Sequence, residues 1–127
     1  MDKTVNSINW FEISVSDIKR ATNFYETIFG IKLEAMEMMG MKMAMFPSDQ
    51  GNGKVNGALV ESDMHKPSEN GAKLYLNGDP DLSEVLDKID SSGGNVTLPK
   101  TDIGGGMGFM AFFIDTEGNS IGLHSNG

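Results

Sequence analysis

A repeated spacing of helix signals is the feature that most constrains this fold. Asp17 and Asp81 can each cap the start of a helix, and a glycine that can end the helix follows each of them, Gly30 and Gly94. Both members of the second pair lie 64 positions after those of the first. Equal offsets at both ends predict an internal duplication, with too few copies for a solenoid.

Each half shows the same order of elements, βαβββ. In the first half an alternating strand is followed by an amphipathic helix and three further strands, at residues 8–15, 17–29, 31–38, 41–46 and 55–61. In the second half a strand is predicted at 72–77, and a helix follows that begins at Asp81 and stops at Gly93 and Gly94. Three further strands are predicted at 95–98, 109–115 and 120–124. The predicted class is α+β.

The two modules are expected to form one domain, residues 1–127, with module bounds near 1–62 and 71–127. The polar stretch 63–70 is the predicted linker. A half of about 60 residues buries too little surface to stand alone. We therefore expect the two sheets to curve together around a shared, cup-shaped cavity.

Charge and cysteine content exclude several classes of function. The chain has 10 Lys or Arg against 18 Asp or Glu, a net charge of −8, which argues against nucleic acid or an anionic membrane as partner. The absence of cysteine excludes disulfides, thiolate zinc sites and a cysteine nucleophile. With no apolar run of membrane-spanning or signal-peptide length, we expect a cytoplasmic protein with a small-molecule or protein partner.

Two segments carry a resemblance to a known family. INWFEISVSDIKRATNFYETIFG and FFIDTEGNSIGLHS resemble the first strand and helix and the last hairpin of the glyoxalase / bleomycin-resistance / extradiol-dioxygenase superfamily, the vicinal oxygen chelate proteins. The resemblance extends to members related to lactoylglutathione lyase. It implies the paired-module fold and a homodimer, with or without exchange of modules, but no single activity, because this scaffold carries several functions.

The resemblance also implies where a metal ion would be held, by one His or Glu from each of the first, fourth, fifth and eighth strands. The matching positions here are Trp10, a position among residues 57–59, Lys73 (or Ala72) and Gly122. None of these side chains is a metal ligand. We therefore expect no metal and no other cofactor.

Strand alternation predicts a different polar set on the inward face. Glu12, Tyr75 and His124 each lie two residues beyond a position that has lost its ligand. Glu12 could act as a base, with His124 or Tyr75 as the acid, in proton transfer at a carbon next to a carbonyl. Two alternatives remain: Glu12, Lys73, Tyr75 and His124 satisfy one another as a buried polar cluster, or Glu12 and His124 hold a displaced metal ion.

The predicted wall of the cup combines an indole, an ammonium group and apolar side chains, namely Trp10, Lys73, Met43, Met45 and Leu59. Trp10 is either a stacking platform or a plug at the former metal position. Five methionines share one face of the second and third strands, which suits varied apolar ligands, with Cu(I) binding as the alternative (Met36, Met38, Met41, Met43, Met45).

These features predict a protein that binds a small apolar or carbonyl-containing molecule in a metal-free cup. Whether it is an enzyme stays open. The alternatives are a protein that sequesters an antibiotic or metabolite, and a metal-dependent lyase or dioxygenase with shifted ligands. Two further segments have simple expectations: the glycine-rich residues 104–108 form a mobile loop, and His65 lies on the surface of the linker.

Overall fold

The computed structural model of the protein describes residues 1–49 and 51–127. Eight strands and three short or medium helical segments follow in the order β1 (Trp10–Ser14), α1 (Ile18–Phe29), β2 (Glu34–Met38), β3 (Met41–Met45), β4 (Asn56–Glu61), β5 (Tyr75–Asn77), α2 (Ser83–Leu86), a 3₁₀ turn (Asp90–Ser92), β6 (Asn95–Asp102), β7 (Phe109–Ile114) and β8 (Ser120–Ser125). Among the described residues, no helix is long and apolar enough to cross a membrane.

The strands form two sheets with equivalent topology. The first has the order β1-β4-β3-β2 and the second the order β5-β8-β7-β6. In each sheet the first pair is parallel and the other two pairs are antiparallel. The α+β class and the duplicated strand order are thereby confirmed.

Helix α1 forms where the sequence predicts it. The Asp17 side chain accepts hydrogen bonds from the backbone N–H groups of Lys19 and Arg20, and Gly30 ends the helix at φ 64°, in the left-handed region. The buried face carries the apolar side chains at helical spacing (Ala21, Phe24, Tyr25 and Ile28).

The second helix is shorter than predicted. A continuous helix from Asp81 to Gly93 is wrong: α2 spans four residues, and the chain then tightens into the 3₁₀ turn. Bonds of the i to i−3 type run from Lys88 to Val85 and from Ser92 to Ile89. Aspartate and serine in this stretch favour local bonds over a helix interior, although Leu82, Val85 and Ile89 are buried as expected.

Several strands differ in length from the prediction. β5 holds only three residues of the predicted 72–77, whereas β6 continues four residues beyond Leu98, through Pro99. The pairing of β6 with β7 shifts register on both sides of Leu98. This irregularity accommodates Pro99, which has no backbone N–H to donate to the neighbouring strand.

One core joins the two halves beneath both sheets. Phe24 of α1 contacts Phe113 of β7 at a ring-centroid distance of 6.0 Å. The fully buried Tyr25 donates its hydroxyl hydrogen to Asp115 Oδ2 at 2.7 Å, across the boundary between modules. At the rim, Glu117 accepts from Arg20 Nε at 2.7 Å and from the backbone N–H groups of Ser16 and Asp17.

Candidate functional site

The face of the first sheet that is turned away from α1 carries the candidate residues. Glu12 on β1 pairs with Ala58 on β4, and Ala58 pairs with Met45 on β3, so these side chains share one face. Met36 pairs with Met43, and Met38 with Met41, on the same face. The register therefore confirms the predicted alignment of five methionines. Met43 is buried against Ala58 and Val60.

The prediction for Leu59 is wrong. Leu59 pairs with Ile13, is 0% exposed and lies in the core on the helix side. Ala58 and Val60 instead take the face that Leu59 was expected to line. Residues 57–60 are apolar or small on both faces, so alternation gives no basis for choosing between them.

Glu12 is held on this face by two partners. The indole Nε1 of Trp10 lies 3.2 Å from Glu12 Oε2, and His65 Nε2 lies 2.8 Å from Glu12 Oε1. The other ring nitrogen of His65 is 2.6 Å from Ser62 Oγ. The expectation that His65 lies on the surface is therefore wrong, because its side chain contacts Glu12 and Ser62 and is only 15% exposed. Sequence spacing gave no signal for this contact, because it joins residues 53 positions apart.

A hollow of about 340 Å³ lies in front of Glu12, at the seam between the two sheets. Trp10, Glu12 and Ser14 border it on the β1 side, and its other lining residues include Ser120 of β8 and Lys66 of the predicted linker. Asn119 Nδ2 donates to the Ser14 backbone carbonyl at 2.8 Å, which fixes β1 beside the second sheet. Trp10 is 42% exposed, so it borders the hollow as an open wall and is not a buried plug.

The candidate residues of the second half have partners of their own. His124 Nε2 lies 2.8 Å from the Met107 backbone carbonyl, within the glycine-rich loop. Tyr75 is 52% exposed and packs edge-on against Phe112. Lys73 Nζ donates to the Glu69 backbone carbonyl at 2.7 Å.

The predicted acid–base set shares no hydrogen bond in the described part of the chain, because Glu12 contacts Trp10 and His65 while His124 contacts Met107, and its roles stay a prediction. The hollow of Glu12 includes neither Tyr75 nor His124. A mutually satisfied cluster of Glu12, Lys73, Tyr75 and His124 is also not formed, because Glu12, Lys73 and His124 each bond to other groups. Glu12 gains His65 as its neighbour instead.

The positions at which the resemblance implies metal ligands do not fit a divalent ion. Gly122 has no side chain, and a Cβ there would lie 2.8 Å from Cδ1 of Tyr75. A Cβ at Gly57 would meet the Phe11 carbonyl and ring. Trp10 and Lys73 offer an indole and an ammonium group, and no cluster of three His, Cys, Asp or Glu suited to a metal occurs in the described part of the chain.

Two βαβββ modules with equivalent sheets around a shared core define the class of paired-module α+β proteins. The family model for the Glyoxalase/Bleomycin resistance protein/Dioxygenase superfamily matches residues 7–123. This chain belongs to that superfamily.

Relatives and solved structures agree with this assignment. A "Glyoxylase-like domain-containing protein" of Didymella fabae is 31% identical over 116 residues, 89% of this chain and 88% of the relative. The "Putative glyoxylase CFP32" of Mycobacterium bovis is 28% identical over 91% of this chain, which spans only 44% of that protein.

Similar folds occur in proteins of different kinds. TnmS3, described as an antibiotic binding protein from Streptomyces, has a TM-score of 0.62 at 22% identity, with 98% of each chain covered. The fosfomycin resistance protein FosX from Listeria monocytogenes, in a complex with Mn(II), has a TM-score of 0.59 at 18% identity, with 95% of this chain and 90% of that chain covered. These likenesses show the fold, and the fold alone does not select one activity.

Proposed function

We propose that this protein binds a small apolar or carbonyl-containing molecule in the hollow bordered by Trp10 and Glu12, without a metal ion. The observation that carries the proposal is the double support of the Glu12 carboxylate by Trp10 Nε1 and His65 Nε2. A carboxylate fixed in this way presents its remaining lone pairs in a defined direction, and the half-exposed indole provides an apolar surface beside it. A volume of about 340 Å³ suits a small ligand.

Binding has more support than proton transfer by Glu12 with His124. Proton transfer needs the acid and the base within reach of one substrate, and His124 lies outside the hollow of Glu12. Tyr75 also lies outside it. The similar fold of an antibiotic binding protein is in keeping with a binding role.

The chain has one tryptophan, so its fluorescence reports on this hollow directly. We would titrate the protein with a panel of hydroxylated aromatic ketones and quinones, whose hydroxyl groups can donate a hydrogen bond to Glu12, following Trp10 emission and the melting temperature. Glu12→Gln should weaken binding of a responding compound about tenfold, the loss expected for a hydrogen bond to a charged group. Glu84→Gln, on an exposed position of α2, is the matched control.

The same compounds distinguish an enzyme from a binder. Exchange of the hydrogen next to the carbonyl, measured by NMR in D₂O, would reveal proton transfer. Exchange that disappears in Glu12→Gln would favour the enzyme over the binding protein. A panel that changes neither the emission nor the melting temperature would contradict the proposal.

A homodimer also belongs to this proposal. Four of the five methionines on the outer face of β2 and β3 are partly exposed (Met36, Met38, Met41 and Met45). An apolar surface of this kind is often covered by another subunit. Size-exclusion chromatography with light scattering should give twice the chain mass of 13.7 kDa, and a monomer would contradict it.

A further inference from the structure

The side chains of Ser62, His65 and Glu12 form a continuous hydrogen-bonded array. Ser62 Oγ lies 2.6 Å from His65 Nδ1, and His65 Nε2 lies 2.8 Å from Glu12 Oε1. The array connects the end of β4, the predicted linker and β1. Both contacts have the length of strong hydrogen bonds.

The chemistry of the carboxylate orients the ring between them. Ionised Glu12 only accepts hydrogen bonds, so Nε2 of the neutral ring carries the hydrogen, and Nδ1 is left as an acceptor. The Ser62 hydroxyl then donates to Nδ1. A hydroxyl, an imidazole and a carboxylate in this sequence have the roles of a nucleophile, its base and the group that orients the base, with the two ring nitrogens exchanged relative to serine proteases.

The array is more than a local turn. Ser62 Oγ also accepts a bond from the Met64 backbone N–H at 3.1 Å, as serines in turns commonly do. Ser68 makes the same kind of bond with the Asn70 backbone N–H at 3.0 Å, without a histidine. The turn at Ser62 therefore does not require His65, whose long-range bond to Glu12 is an additional contact of this segment.

Ser62 is accessible from a separate hollow of about 430 Å³. Ser62 and His65 border it together with Lys42 and Lys66. Two carboxylates border the same hollow, so its charges balance, and the lysines are the groups that can favour negative charge developing on a carbonyl under attack. Lys42 Nζ is 3.6 Å from Glu61 Oε2, so part of its charge is balanced.

We propose that Ser62, His65 and Glu12 form an acyl-transfer site that acts on small activated esters. Ser62 Oγ forms a bond to the ester carbonyl carbon while its proton passes to His65 Nδ1, and Glu12 stabilises the imidazolium through Nε2–H. The ester C–O bond then breaks, and the leaving alkoxide takes the proton from Nδ1. Water, deprotonated by His65, attacks the acyl-serine, the acid is released and Ser62 regains its proton.

The test uses p-nitrophenyl acetate with the full chain, followed by release of nitrophenol and by intact mass. The expected result is one acetyl group per chain, mapped to Ser62 by peptide analysis. Ser62→Ala should abolish acetylation at this peptide, and His65→Gln should slow it by about 100-fold or more. Ser91→Ala, at an exposed serine whose hydroxyl donates to the Lys88 carbonyl, should leave the rate unchanged.

Acetyl groups found only on lysines, or an unchanged rate in Ser62→Ala, would overturn the proposal. Peptide mapping of the wild-type protein after acetylation decides the question even if a variant fails to fold. This site and the binding hollow share Glu12 but can fail separately. Ser62→Ala should leave the Trp10 fluorescence response to aromatic ketones intact, so loss of one signal does not imply loss of the other.

Discussion

The ring of Tyr75 covers Gly122 so closely that a Cβ at position 122 would lie 2.8 Å from its Cδ1. The two residues are register partners on β5 and β8. The resemblance implies a metal ligand at this eighth-strand position, and here an aromatic ring occupies the space that such a side chain would need. The close contact between Tyr75 and Gly122 therefore leaves no room for a metal-binding side chain at position 122.

This contact predicts coupling between the two residues. Gly122→Ala should lower the free energy of unfolding by about 1–3 kcal/mol, the usual cost of overpacking, because the Tyr75 ring must move. Tyr75→Ala should relieve most of that cost, and urea denaturation of the two single variants and the double variant measures the coupling. Strictly additive effects would show that the ring moves aside freely.

The buried Tyr25 hydroxyl should contribute to stability through Asp115. Burial, together with the charge of Asp115, raises the pKa of Tyr25 well above its usual value, so the phenol stays a hydrogen-bond donor. Tyr25→Phe removes the 2.7 Å bond, and we expect a loss of about 1.5–3 kcal/mol in the free energy of unfolding. Tyr75→Phe, on an exposed ring, should change stability by less than about 0.5 kcal/mol. Equal effects of the two substitutions would contradict this assignment.

The lowered pKa of Glu117 predicts that the folded protein loses stability in acid. Burial alone would raise its pKa, but hydrogen bonds from Arg20, Asp17, Thr116 and Ser16 outweigh this and lower the pKa from 4.5 to about 2. A depressed pKa in the folded state stabilises the protein above the unfolded value of 4.5, and this contribution disappears as the pH falls towards 2.

Glu117→Gln should therefore lower the free energy of unfolding by about 2 kcal/mol at neutral pH, a value that allows for solvent screening at the half-exposed Arg20. The difference between the two proteins should shrink as the pH falls from about 4.5 to about 2, which denaturant titrations at several pH values would measure. A difference that stays constant over this range would mean that the ionised carboxylate adds nothing.

The methionines should oxidise in the order of their exposure. Met1 is 97% exposed, Met39 is 88% exposed and Met64 is 85% exposed, whereas Met43 is 6% exposed. Limited treatment with hydrogen peroxide, followed by peptide mapping, should therefore find the sulfoxide first at Met1, Met39 and Met64 and last at Met43. Oxidation of Met43 at the rate of Met39 would show that the face of β2 and β3 opens in solution.

The sequence alone determined the duplicated fold. Helix caps at Asp17 and Gly30 act through bonds to residues two to four positions away, and alternation along β1 assigns Ile13 to the core. Such signals depend on nearby residues, so they can be read from the chain. The same reasoning placed Glu12 and the five methionines on the face away from α1.

The tertiary structure alone decided which of these residues meet. The side of β4 to which Leu59 belongs depends on packing, because both faces of that strand are apolar. His65 reaches Glu12 across 53 positions, and His124 bonds to Met107 rather than joining Glu12. Contacts between distant residues follow from how two sheets lie side by side, and no local periodicity encodes that arrangement.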